Sequence, residues 1–154
     1  MADSRQRTLV SVRAKTCSQS TRTTVFARAH QIELGTPWSF DVAEPSFTGA
    51  EQMLGLLASD VIGLFIKICQ QRRLIVDRAE STVKAELANT LRYLGVIGAA
   101  GSPAYEDFQL RVYVESPASP EALRDAWNEA IERAPFLNVL KRAADVDVSM
   151  QLTD

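Results

Sequence analysis

The hydrophobic positions of this chain change period several times along its length, and each change predicts an element. Over residues 8–15, Leu9 is followed by Val10, Val12 and Ala14, a period of two that predicts a strand. The polar run 18–21 predicts a turn. Residues 25–34 predict a second strand with Phe26, Arg28, His30, Ile32 and Leu34 on one face, so that the two strands form a hairpin. Residues 35–48 hold two prolines and no helical period, which predicts a loop or irregular extended segment.

A long helix is expected over residues 50–72. It is apolar nearly all round, through Met53, Leu54, Leu56, Leu57, Val61, Ile62, Leu64, Phe65, Ile66 and Ile68. A helix without a polar face belongs at the centre of a fold. Gly55, Ser59 and Gly63 follow one another at i+4, a small-residue groove that another helix can approach closely. Each interior glycine costs about 1 kcal/mol relative to alanine, which close packing would offset. The other reading is that these small residues are incidental.

Residues 81–87 alternate through Val83, Ala85 and Leu87 as a strand, and 90–103, with Gly95, Gly98 and Gly101, predict a flexible connection. Those glycines fit no nucleotide-binding spacing. Residues 108–114 alternate again. Ser119 and Pro120 then supply an N-cap and a first helical residue, and Leu123, Ala126, Trp127, Ala130 and Ile131 form a stripe. Pro135 ends or kinks that helix, a short helix runs through Lys141, and Val146, Val148, Met150 and Leu152 form a last strand. No repeat or linker interrupts residues 1–154, so one α+β domain is expected, with the order two strands, helix, two strands, two helices, strand.

Composition narrows the partners. The 154 residues are 46% hydrophobic, enough for one domain that buries roughly two thirds of its unfolded surface. Seventeen Lys and Arg against 19 Asp and Glu leave a net charge of −2, which gives no electrostatic reason to expect nucleic acid or an anionic membrane. Arg5, Arg7, Arg13, Lys15, Arg22 and Arg28 gather early, but apolar strand positions interrupt them, as on a solvated face. The polar start predicts no signal peptide. The apolar stretch 53–66 is shorter than the roughly 20 residues of a membrane span, so a cytoplasmic protein is expected. Two cysteines and one histidine give neither a disulfide framework nor a zinc site, and no cofactor or metal is expected.

Two segments carry a resemblance. "TGAEQMLGLLASDVIGLFIKICQQRRL", residues 48–74, looks like the central helix of the OsmC/Ohr family of peroxide-handling proteins. That helix opens with Pro-x-Glu-Leu-Leu and carries a reactive cysteine further on. Glu51 matches the glutamate, but Asp60 stands at the cysteine's position. "AIERAPFLNVLKRAADVDVSMQL", residues 130–152, looks like the family's Cys-Pro segment before the last strand. Pro135 matches, and Ala134 replaces the second cysteine. The resemblance implies antiparallel sheets around a long buried central helix, and an intertwined homodimer with sites at the subunit interface.

In that family, as the resemblance implies, a thiolate attacks the peroxide and a second cysteine resolves the sulfenic acid. An arginine stabilises the thiolate and the glutamate orients that arginine. Neither Asp60 nor Ala134 supplies sulfur, so the two-cysteine cycle is not expected here. Cys69 lies nine residues beyond Asp60 in the sequence, about 13 Å along the helix and about 180° around it. It is expected to be a small buried hydrophobe, and Cys17 ends the first strand with no partner.

Asp60 is the only charge between Glu51 and Lys67 on an apolar helix. An isolated buried carboxylate costs several kcal/mol, so it must meet a cation, meet hydrogen-bond donors, border a wet pocket or stay protonated. By analogy with the family's arginine, Arg22 or Arg28 is the candidate cation. One reading is a remnant pocket around Asp60, Glu51, Ala134 and an arginine, with Trp38, Phe40 and Phe47 at an apolar mouth, that binds a small hydrophobic ligand. Another is an Asp–Arg pair that only holds the core, with Glu51 as a first-turn acid and the aromatics plugging a core or a dimer seam. Two alternatives keep catalysis: Asp60 and Glu51 as acid and base for hydrolysis or isomerisation, or a hydroperoxide reductase that uses a displaced cysteine.

Overall fold

The computed structural model describes residues 7–37, 39 and 45–153. The chain divides into two compact units, Met1–Gln52 and Met53–Asp154.

The first unit holds three strands in an antiparallel meander, β1 (Arg13–Cys17), β2 (Ser20–Ala27) and β3 (His30–Leu34). The single strand expected over 25–34 is therefore two. Ala27 pairs with His30 across a two-residue turn, and Arg28 enters it at φ 54°. Such turns ask for Gly or Asn at positive φ, and this one carries neither, so the local sequence gives no turn signal. The turn also reassigns the faces. Ile32 lies opposite Val25, whereas Phe26 lies opposite Gln31, so Phe26 and Ile32 fall on different faces of the sheet. Phe26 sits beneath the Arg13 guanidinium, 4.5 Å from the ring centre. β1 begins at Arg13 rather than residue 8, and Leu9, Val10 and Val12 lie exposed before it.

The long helix α1 (Gly49–Gln71) begins in the first unit and runs into the second. Its bounds match the helix expected over 50–72 to within one residue at each end. At 23 residues, with an 18-residue window of mean hydropathy 1.6, it has the length and composition of a membrane span, a property that core helices of soluble proteins share. Its far end closes in a Schellman arrangement: Leu74 N–H donates to Cys69 O at 2.9 Å and Arg73 N–H to Gln70 O at 3.1 Å, with Arg73 at φ 58°.

The second unit continues with β4 (Arg78–Ala88), the one-turn α2 (Thr90–Tyr93), β5 (Ala104–Glu115), α3 (Pro120–Arg133), α4 (Pro135–Leu140) and β6 (Val146–Thr153). The connection expected over 90–103 thus contains a short helix. Its ends are tied by Asn89 Nδ2 donating to Ser102 O at 2.9 Å. The sheet order is β4-β5-β6. β4 and β5 are antiparallel, but β6 runs parallel to β5, which corrects the expectation of antiparallel sheets throughout. The reason is the connection. α3 and α4 carry the chain back to the end where β5 started, the helical crossover that parallel neighbours require. β5 itself contains a bulge: Asp107, at φ 51°, and Phe108 together face Ala85. Pairing with β6 starts at Phe108, whose N–H donates to Asp145 O at 2.9 Å.

Phe108, Leu110, Val112 and Val114 alternate inward from β5, and Tyr105 packs partly buried against the same core. They meet Leu57, Val61, Phe65, Ile68 and Cys69 from α1 and Leu123, Ala126, Trp127 and Ala130 from α3. Phe65 and Trp127 pack edge to face with ring centres 5.8 Å apart. Each large side chain buried here contributes about 1.5–3 kcal/mol. The buried positions of α1 form one stripe at i+4 and i+3 spacing. Leu56 is 51% exposed, Gly55, Ser59 and Gly63 are exposed, and a Cβ added at Gly55 or Gly63 would meet nothing within 4 Å. The expectation of a helix buried all round is thereby corrected: among the described residues of Met53–Asp154, α1 is covered on one side. Hydrophobicity around the whole circumference records what a helix can bury, not what one chain supplies to cover it.

Candidate functional site

Asp60 stands one residue before the buried Val61 and is half-buried at the edge of the α1 stripe. The chain returns to it at the junction of α3 and α4. Ala134, fully buried, is the N-cap residue of α4, with an extended backbone (φ −69°, ψ 111°). Its methyl group accepts no hydrogen bond, and Pro135, the first helical residue, has no N–H. The first orphan donors of α4 are therefore the N–H groups of Phe136 and Leu137. Both donate to Asp60 Oδ2, at 2.9 and 3.2 Å. A side chain from one helix thus caps another, where Ser119 caps α3 locally by accepting from Ala122 N–H at 3.2 Å. The donors that offset burial of the Asp60 carboxylate are backbone amides. A cap of this kind contributes about 1 kcal/mol, and the negative charge at a helix start adds to it.

These bonds hold Asp60 at the start of α4, whose N-cap residue is Ala134, and positions 60 and 134 are the two that the resemblance pairs as redox positions. Neither holds sulfur. Cys69 is buried in the core, where burial pushes its thiol pKa up and the nearby Arg72 only partly opposes the shift. Cys17 is exposed at the end of β1.

The remaining expected residues are placed as follows. Glu51 lies in the first turn of α1 and forms a capping box with Thr48. Thr48 N–H and Oγ1–H donate to Glu51 Oε2 at 2.8 and 2.9 Å, and Glu51 N–H donates to Thr48 Oγ1 at 3.2 Å. These bonds, the backbone one first, hold the Glu51 carboxyl below its usual range. The Thr-x-x-Glu spacing that encodes the box stands in the sequence. Arg22 belongs to β2 and pairs with Glu33 of β3 at 2.8 Å, and Arg28 occupies the β2–β3 turn. Trp38 and Phe40 lie outside the described residues, and Phe47 is exposed. His30 opens β3, exposed.

The residues that sequence reasoning missed are Phe136 and Leu137, which act through their backbone. A signal existed: Ala134 followed by Pro135 starts a helix with no cap of its own, and such a start calls for an acceptor from elsewhere. Two surface clefts are polar and include none of the expected site residues. One, of about 440 Å³, is bounded by Glu106, Asp107, Lys141, Arg142 and Asp145, and the other, of about 320 Å³, by Arg78, Glu80, Tyr113 and Glu115. Among the described residues no cluster of three or more His, Cys, Asp or Glu is arranged to hold a metal ion.

No known protein-family profile matches the sequence, and none of the curated proteins does. Solved structures do. An OsmC-like protein from Mycoplasma pneumoniae superposes with a TM-score of 0.77 at 14% identity, over 97% of this chain and 100% of that one. An OsmC-like protein of unknown function from Vibrio cholerae gives 0.72 at 15% identity, over 94% and 100%. An organic hydroperoxide resistance protein from Elizabethkingia anophelis gives 0.68 at 10% identity, over 96% and 100%. The chain has the OsmC-like fold, and at these identities the likeness is one of fold.

Proposed function

We propose that this chain is an OsmC/Ohr-type protein in which a structural hydrogen-bonded cap replaces the redox pair. It does not reduce hydroperoxides through a two-cysteine cycle, and it works in the cytoplasm as a homodimer that binds a small hydrophobic molecule. The observation that carries the first part is the bonding of Asp60 to Phe136 and Leu137 beside Ala134. Thiol peroxidase chemistry needs an oxidisable thiolate and a second thiol to condense with it. At the positions where the fold brings two segments together, this chain has a carboxylate and a methyl group. Cys69 offers no substitute, because it is buried with a raised pKa. The acid–base alternative asks Glu51 for a free carboxylate, and Thr48 holds it.

The uncovered apolar face of α1, with Leu56 half exposed and open space at Gly55 and Gly63, supports the dimer and an apolar site lined in part by that face. The test is peroxide consumption by the purified protein with an organic hydroperoxide and a dithiol reductant. The expected result is no turnover above the protein-free rate, unchanged in the Cys17→Ser/Cys69→Ser variant. Dithiol-dependent turnover that disappears in Cys69→Ser overturns the proposal. Organic extraction of the purified protein, followed by mass spectrometry, reads the ligand part: a stoichiometric apolar compound supports it, and an empty extract counts against it.

A further inference from the structure

We draw no further inference here: the strongest candidate, the apolar surface patch that Leu91, Val96 and Ile97 form at the tip of the β4–β5 connection, carries nothing because no feature of the structure shows what covers it.

Discussion

The Asp60 carboxylate accepts the backbone N–H of Phe136 at 2.9 Å, across 76 residues of sequence, and so ties the middle of α1 to the start of α4. Leu137 adds a second bond to the same oxygen. An acid that reads in the sequence as an unexplained charge in an apolar helix is, in the fold, the missing cap of another helix.

Removing that acceptor strands two part-buried amides. Asp60→Ala is expected to destabilise the protein by about 1–3 kcal/mol, the cost of unsatisfied donors together with a lost cap. Asp60→Asn keeps an acceptor oxygen and is expected to lose less than half as much. Urea unfolding midpoints of the three proteins check this. An alanine variant as stable as the parent would refute the capping role.

The two thiols differ in access and acidity. Cys17 is exposed, whereas Cys69 is buried and its pKa is raised chiefly by desolvation. Ellman titration of the native protein at pH 8 should therefore show one fast thiol, lost in Cys17→Ser, and a second that reacts only on the timescale of unfolding. Two thiols of equal rate would place Cys69 at the surface and contradict the core described above.

The Thr48–Glu51 capping box makes a pH-dependent contribution. The folded pKa of Glu51 lies below its reference value of 4.5, so the ionised form is favoured by folding. Its stabilisation is present above that value and is lost as pH falls through the lower folded pKa. Glu51→Gln keeps the box geometry but removes the charge. The gap in Tm between parent and variant should be widest near pH 7 and narrow below about pH 4.5. A gap that stays constant down to pH 3 would show that ionisation of Glu51 contributes nothing.

Self-association is the outcome expected from the half-covered α1. Sedimentation equilibrium at micromolar concentration should give twice the 17.0 kDa chain mass. Leu56→Glu places a charge on the uncovered face and should weaken the dimer at least tenfold, with helix content by circular dichroism unchanged. A parent protein that sediments as a monomer removes the support for a dimer.

Much of the local structure was legible in the residues. The Ser119–Pro120 start of α3, its apolar stripe and the inward alternation of β5 depend on neighbours within a few positions, and the structure reproduces them. The absence of sulfur at positions 60 and 134 is likewise a covalent fact of the chain. Three features needed the fold. The β2–β3 turn at Arg28 carries no turn residue, so only strand pairing reveals it. The parallel course of β6 is set by where the α3–α4 crossover returns the chain. The partner of Asp60 is set by packing that brings 60 beside 136. Periodicity and capping act over one or two turns of backbone, so the sequence by itself determines which segments become helices and strands and which chemical groups they carry. Which groups meet across dozens of residues is decided by burial of the shared core, and only the tertiary structure holds that information.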